Sequence, residues 1–339
     1  VDLDVSVIIP TYNRGDALIE TLTALNGCEY PRERFEVIVV DDGSTDGTAE
    51  AVRQFNADRA DRIRFHEQPN AGPARARNQG AALARGRTLI FIDNDIVVEP
   101  DFVRRHMDAG AAHPGCWIVG RIRHPAKLRE TPFGRYRDDL WEAFHQSHDP
   151  NEPTETDGIT AANISLPAAD FRRLGGFDER FTIASCEDWE LGMRARREGI
   201  RVLYDPSIVV LHNDWAVDLR RFCERQRLYS ISDVLLWRMY GDASPRVAMI
   251  RQNVPGGDAR SKKFVKRVLA TGPGRALLRG ATRISEVLTG DGGITRRFYN
   301  AAIGAAIFRG VREGIERYRE DEMNLSTNNH EWADTNTHE

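Results

Sequence analysis

At 339 residues and 38.3 kDa, the chain has room for about two domains of roughly 150 residues, or one large α/β domain with an extension. Its hydrophobic share of 41% and charged share of 29% suit a globular chain with a sizeable core, excluding wholesale disorder, collagen-like repeats and a small disulfide scaffold. A net charge of −4 gives no electrostatic case for nucleic acid, and no stretch approaches the roughly 20 apolar residues of a membrane span.

The predicted elements begin with Val5–Pro10, an apolar, β-branched run expected of a strand covered on both faces. The opening residues lack the basic segment and cleavage site of a signal peptide. Cys28, Cys116, Cys186 and Cys223 are scattered without a CxxC pair, which argues against a zinc knuckle. Both features predict a reducing, cytoplasmic setting. Ala17–Leu25 has helical spacing ended by Gly27, and Phe35–Val40 is a second buried strand. A helix capped near Ser44–Asp46 runs to Phe55, followed by a short strand at Ile63–Phe65, an Ala-rich helix at Ala74–Ala84 and a strand at Thr88–Ile92. Such alternation implies right-handed crossovers and a mostly parallel sheet. Further on, Asp101–Ala112 reads as a helix, Trp117–Arg123 as extended, and 124–158 as a long polar loop, either a lid or disordered. Ile159–Leu166 reads as a strand, Ala168–Leu174 and Asp188–Glu198 as helices, and Val202–Tyr204 and Ile208–His212 as two short strands. From Leu219 the chain is largely helical.

Polar residues gather where the strands end. The first strand runs into Thr11-Tyr12-Asn13-Arg14, the second into Asp41-Asp42-Gly43-Ser44 and the fourth into Asp93-Asn94-Asp95. In a parallel sheet these ends share the edge at which open α/β folds bind ligands. The chain has neither a GxGxxG after the first strand nor a Walker loop, which disfavours a dinucleotide or P-loop site. Tyr12 can stack on a base and Asp41 can accept a hydrogen bond from it. Asp93 and Asp95 are hard oxygen ligands of the kind that suit Mg²⁺ or Mn²⁺ beside phosphates. Arg75 and Arg77, on the preceding helix, can meet phosphate or carboxylate charge or simply sit in solvent.

The ordered strings SVIIPTYNR, VIVVDDGSTDGT, NAGPARARNQG and FIDNDIVVEP resemble inverting glycosyltransferase family 2, with its GT-A fold. GITAANISLP, LGGFDERF, CEDWELGMRARREG and the strand ending in His212 resemble its acceptor-side half, and the likeness covers roughly residues 4–240. The resemblance implies an α/β GT-A fold, a Rossmann-like and mostly parallel sheet flanked by helices. It also implies sugar transfer from a nucleotide-diphosphate donor to a hydroxyl acceptor, with inversion and with Mg²⁺ or Mn²⁺ as cofactor. By the same resemblance Thr11, Tyr12 and Asp41 contact the base and Asp93 the ribose side; Pro10, Asn13, Arg14, Asp42, Arg77 and Asn94 are expected beside them in the donor site, UDP being favoured because Tyr12 with Asp41 suits a pyrimidine. Asp95 would hold the metal, and His212 either contacts the metal or diphosphate or is a core histidine. Asp188 would be the catalytic base, ionised at neutral pH. Asn163, the Gly176 turn and Trp189 would shape the acceptor site, Trp189 being equally at home in a core.

The residue types fit that chemistry. Inversion by single displacement needs one base for the attacking hydroxyl and, on the donor side, charge to offset the leaving diphosphate. Glu187 and Asp188 leave a helix about 100° apart, so one can do chemistry while the other binds an acceptor hydroxyl or caps the helix. The expected organisation is a donor half at 1–115, an acceptor half at 116–240, a basic helical extension at 241–319 and a disordered acidic tail at 320–339. Segment 259–319 has 14 Lys and Arg against 4 Asp and Glu, which suits either an anionic membrane surface or a solvated or dimer-forming helical cap. The acceptor could be a saccharide, a lipid-linked sugar or a small molecule. LIFIDNDIVV also fits the Asp93/Asp95 nucleophile string of haloacid-dehalogenase-type phosphatases, although the downstream acidic motif is missing. A sugar nucleotidyltransferase on a similar fold, or a non-catalytic sugar-nucleotide sensor, would also place acids at this sheet edge.

Overall fold

The computed structural model describes residues 3–57, 63–146, 148–253 and 260–319. The tail at 320–339, expected to be disordered, and Ala259 at the start of the basic segment lie outside the described residues. The chain divides into two compact units, Val1–Ala216 and Val217–Glu339.

The first unit opens with β1 (Val5–Thr11), α1 (Gly15–Asn26), β2 (Phe35–Asp41), α2 (Thr48–Ala57), β3 (Ile63–Glu67), α3 (Pro73–Leu83) and β4 (Thr88–Ile92). It continues with β5 (Ile96–Val98), α4 (Phe102–Ala112), β6 (Trp117–Arg123), α5 (Pro132–His145), β7 (Thr154–Glu155), β8 (Asn163–Pro167), α6 (Ala168–Arg173), α7 (Glu187–Arg197) and β9 (Val202–His212). One nine-stranded sheet runs in the order β3-β2-β1-β4-β8-β6-β9-β5, with β7 on β9. β1 pairs in parallel with β2 and β4, β2 with β3, and β6 with β9, while β8 is antiparallel to β4 and β6. The continuous apolar runs have the cause expected of them. Val5, Val7 and Ile9 enter the core on one face with α1 and α4, and Ile8 enters the core on the other face with α3. The strand order reverses between β1 and β4, so their carboxyl ends meet at the topological switch point.

Two sequence expectations for this unit need correction, and one strand went unread. The stretch 124–158 is not an extended loop, because it holds the 14-residue helix α5. Its Phe133, Tyr136, Leu140 and Trp141 recur at helical spacing, and Phe133 and Tyr136 are buried. The two strands read around Pro206 are one strand, β9. Pro206 cannot donate to a ladder, and the register against β6 shifts there, from Gly120 opposite Asp205 to Arg121 opposite Val209. Asp205 Oδ1 closes the irregularity by accepting from the Ser207 amide at 2.9 Å and its hydroxyl at 2.7 Å. β5, only three residues long, gave no separate signal in the sequence.

The second unit comprises α8 (Leu219–Tyr240), α9 (Val247–Asn253), α10 (Arg260–Leu269), α11 (Gly272–Thr289) and α12 (Gly293–Arg317). The expected boundary at residue 240 therefore moves to 216, since α8 packs with the C-terminal helices. Gly310 and Gly314 let α12 press against α8, where an added Cβ at Gly314 would lie 2.9 Å from Val234. Val234, Ile250 and Val311 form the small core of this unit.

Candidate active site

The ends of β1 and β4 are tied together by side chains: Asn94 Nδ2 donates to Thr11 Oγ1 at 2.8 Å. Asn13 occupies the left-handed region at φ 51°, a conformation Asn tolerates, and its Oδ1 accepts from the Thr45 amide at 2.7 Å. Ser44 Oγ accepts in turn from the Asn13 amide at 2.8 Å, and donates to Asp41 Oδ1 at 2.5 Å. The strand ends of β1 and β2 are thus one preorganised rim. Tyr12 and Arg14 stand out from it into solvent, while Pro10, Thr11 and Asp41 are buried.

Asp42 has a different task from the one expected. Its Oδ1 accepts from Gln68 Nε2 at 2.8 Å and the Ala71 amide at 2.9 Å, and its Oδ2 accepts from the Gly72 amide at 2.8 Å. Both oxygens are occupied in fixing the loop ahead of α3. Gly72 itself sits at φ 96°, and a Cβ there would lie 2.8 Å from the Thr182 carbonyl oxygen and 2.9 Å from its Cα. Gly72→Ala is therefore expected to cost about 1–3 kcal/mol. Urea unfolding measures it, and an unshifted midpoint would mean that the two backbones separate freely.

Asp93, Asp95 and His212 converge, their ligand atoms all lying within 4.8 Å of one another. β5 pairs with the end of β9, Ile96 opposite His212, and this brings the histidine to the acids. His212 Nε2 is 3.1 Å from Asp95 Oδ1, and Arg14 Nη1 is 3.7 Å from Asp95 Oδ2. Burial by itself would raise the Asp95 carboxyl, but the His212 charge and hydrogen bond, helped by Arg14, bring it below the ordinary carboxylate value. Burial would likewise lower His212, and the Asp95 charge reverses that and raises it. Two carboxylates and an imidazole form a mixed oxygen–nitrogen donor set, which fits Mn²⁺ better than Mg²⁺. His212 must release its proton to act as a ligand.

α3 and α7 supply the other half of the site. Arg77 is buried rather than solvated, and of the phosphate or carboxylate charge expected for it the structure shows carboxylates: Nη1 donates to Glu187 Oε1 at 2.6 Å and Nη2 to Asp93 Oδ1 at 2.7 Å. Burial disfavours its charge, yet Asp93 and Glu187 outweigh that and raise its pKa. Glu187 Oε2 accepts from the Ser185 amide at 2.7 Å, so this buried carboxylate is held on both oxygens at the start of α7. Asp188 keeps some exposure, accepting from its neighbour's amide, Trp189 N, at 2.8 Å and from Ala161 N at 3.4 Å. Burial pushes its carboxyl up to about 8, and the Glu187 charge adds to the rise against the pull of the Trp189 amide and Arg77. In the unliganded chain burial and Glu187 therefore work against the ionised Asp188 expected at neutral pH.

Of the residues expected to meet an acceptor, Trp189 is partly exposed beside Asp188. Asn163 is not at a surface. It is fully buried, its Oδ1 meeting His106 Nε2 at 2.9 Å and its Nδ2 donating to the Ile208 carbonyl at 3.2 Å, which fastens β8 to β9. Gly176, at φ 73°, serves a turn in which its carbonyl accepts from Arg194 Nη2 at 2.6 Å and its missing Cβ leaves room for Asn78 Oδ1.

Sequence reasoning missed Arg137, Asp214 and His124. Arg137 donates through Nη2 to Asp214 Oδ2 and through Nη1 to the Asp214 carbonyl, both at 2.7 Å, two residues beyond His212. His124 stacks on His212 with ring centroids 6.1 Å apart, and burial, with Arg137 and His212 adding to it, lowers its pKa to about 4. A helical reading of 132–145 would have found the arginine. No local signal marks the histidine.

A mixed sheet wrapped by helices, with acids at the switch-point strand ends facing an α7 carboxylate, defines a GT-A-type domain. A family model described as "Glycosyl transferase family 2" matches residues 6–175, and the chain belongs to that family. Validoxylamine A glucosyltransferase of Streptomyces hygroscopicus subsp. jinggangensis is 35% identical over 261 residues, covering 68% of this chain and 58% of the relative. Pre-mycofactocin glycosyltransferase of Mycobacterium tuberculosis is 29% identical over 294 residues, 85% of this chain and 56% of that one. The chain thus spans a little over half the length of these relatives. Among solved structures, the mannosyltransferase PcManGT from Pyrobaculum calidifontis in complex with GDP-Man and Mn²⁺ superposes with a TM-score of 0.61 at 20% identity, over 91% of this chain and 87% of that one. Staphylococcus aureus TarS 1–349 in complex with UDP-GlcNAc gives 0.51 at 18% identity, over 94% and 92%. Family membership removes the phosphatase reading of Asp93 and Asp95.

Proposed function

We propose that the chain transfers a sugar from a nucleotide-diphosphate donor, UDP being favoured, to a hydroxyl acceptor with inversion, in a divalent-metal-dependent single displacement. The observation that carries this reading is buried Arg77, which ties the metal-side acid Asp93, itself partly exposed, to buried Glu187 of the α7 pair Glu187-Asp188 through two ion pairs. One rigid group then sets the distance between donor and base, the positioning that such a displacement demands. Asp93, Asp95 and His212 would hold the ion, which when bound would offset charge on the leaving diphosphate. Asp188 takes the proton of the attacking hydroxyl at a carboxylate oxygen, and Glu187 holds Arg77 in place. Tyr12 offers its exposed ring to the base, and buried Asp41, its Oδ1 fixed by Ser44, would accept from the base at the foot of the same rim. Partly exposed Trp189 and Gly176's turn frame the acceptor side.

PcManGT was solved with GDP-Man and TarS with UDP-GlcNAc, so the base is the point to test. A thermal-shift panel of UDP, dTDP, GDP, ADP and CDP, with and without Mn²⁺, is expected to give its largest rise with UDP and Mn²⁺ together, by mass action on the native state. A rise with GDP alone would reassign the base, and no rise with any of the five would overturn the donor reading. The anomeric configuration of the product, read by NMR, tests inversion.

A further inference from the structure

The second unit carries a helical face that its own packing leaves bare. On α11, Gly274, Leu278, Thr282 and Ser285 are buried, whereas Leu277 (74%), Ile284 (64%), Val287 (81%) and Leu288 (75%) are exposed. At about 100° per residue these four side chains fall within one arc of about 100°. Single exposed apolar residues are ordinary, but a contiguous stripe of four marks an interaction surface. Beyond one edge of the arc lie exposed Arg283, about 40° on, and exposed Arg279, about 80° on. α10 repeats the arrangement with exposed Phe264, Val265 and Val268 beside exposed Arg267. The one acid on α11, Glu286, accepts from the Tyr299 hydroxyl at 2.6 Å, and the segment's net charge of +10 already includes it.

We propose that this face of α10 and α11 docks the protein on an anionic lipid surface. Apolar side chains in one arc and cations at its margin are the arrangement with which an amphipathic helix lies in a bilayer interface. Among the described residues no helix is long and apolar enough to cross a membrane, so the helices lie on the surface rather than span it. The charge also selects the occupant. Segment 259–319 carries a net +10, which an anionic leaflet attracts at every exposed Arg. A second copy docked through the same face by twofold symmetry would bring Arg279 and Arg283 towards their own counterparts. The proposal does not depend on the transfer reaction.

The test is co-sedimentation of the full chain with vesicles of about 30% phosphatidylserine in phosphatidylcholine, the anionic fraction supplying the surface potential. Pelleting is expected with these vesicles at low salt, to weaken as salt rises, and to be much smaller with pure phosphatidylcholine. Arg279→Gln with Arg283→Gln should weaken anionic-vesicle binding about tenfold or more, and Ile284→Glu with Leu288→Glu by at least about as much. All four positions are exposed, so far-UV circular dichroism should be unchanged in both variants. Equal pelleting with neutral and anionic vesicles, or none with either, overturns the proposal. A dimer seen by light scattering that Ile284→Glu with Leu288→Glu splits, without vesicle binding, would assign the face to a second copy instead.

Discussion

Asp188→Asn is expected to lower turnover by roughly 10²–10⁴-fold, the range for a lost general base, while leaving the UDP- and Mn²⁺-dependent thermal shift nearly intact. Asn preserves the size of the side chain and keeps one oxygen to accept from the Trp189 amide, 2.8 Å away in the native chain. It removes the ability to take a proton at the cost of the long, 3.4 Å contact from the Ala161 amide. Glu187→Gln should behave differently, because Glu187 Oε1 meets buried Arg77 at 2.6 Å. Removing that charge leaves Arg77 to Asp93 alone, so the variant should lose stability before it loses chemistry. An inactive but fully stable Glu187→Gln together with an active Asp188→Asn would move the base to Glu187.

The raised Asp188 carboxyl fixes the sign of two pH effects. Turnover through kcat/KM should climb with pH towards about 8, because the base works only when deprotonated, and the Asn variant should lack that limb. Stability should run the other way. Between the ordinary value of 3.8 and about 8, the native carboxyl holds a proton that the unfolded chain has released, so this group makes the fold less stable as pH rises. Asp188→Asn should therefore melt higher than the parent at pH 8 and no higher near pH 3. A catalytic position that is more stable when disabled is the usual signature of a site shaped for reaction.

How much of this was legible in the sequence depends on whether the cause was local. The strand ends were legible because apolar β-branched runs such as Val5–Pro10 and Phe35–Val40 can only be buried strands, and the polar residues after them must then emerge at one edge. The motifs around Asp93, Asp95 and Asp188 carried the family. What was hidden depends on pairing across the fold. Arg77 reads equally as a partner for phosphate, for carboxylate or for solvent until Glu187 and Asp93 are seen on either side of it. Asn163 reads as an acceptor contact until His106 is found on its Oδ1. Asp42 looks equivalent to Asp41, yet only the return of 68–72 beneath the rim decides that Asp42 is a clamp. His212 was ambiguous for the same reason, since it takes the β5–β9 pairing to bring it against Asp95.

Asp95→Ala is expected to lower turnover by about 10³-fold or more, and to abolish the part of the UDP thermal shift that requires Mn²⁺. Asp95 is the most connected member of its group, facing His212 Nε2 at 3.1 Å and Arg14 Nη1 at 3.7 Å while its carbonyl accepts from the Asn213 amide at 2.8 Å. The backbone bond survives the substitution, so the β5–β9 pairing and the position of His212 should persist. What disappears is one of two carboxylates in a three-donor set, together with the anion that raises the His212 pKa. The two variants then separate donor from acceptor chemistry: Asp188→Asn binds UDP with Mn²⁺ and does not turn over, whereas Asp95→Ala does neither. Addition of EDTA to the parent should reproduce the Asp95→Ala result, and added Mn²⁺ should restore the parent only. Full turnover in EDTA after verified metal removal, joined to an active Asp95→Ala, would reduce the Asp95–His212 contact to a structural ion pair and remove the metal from the mechanism.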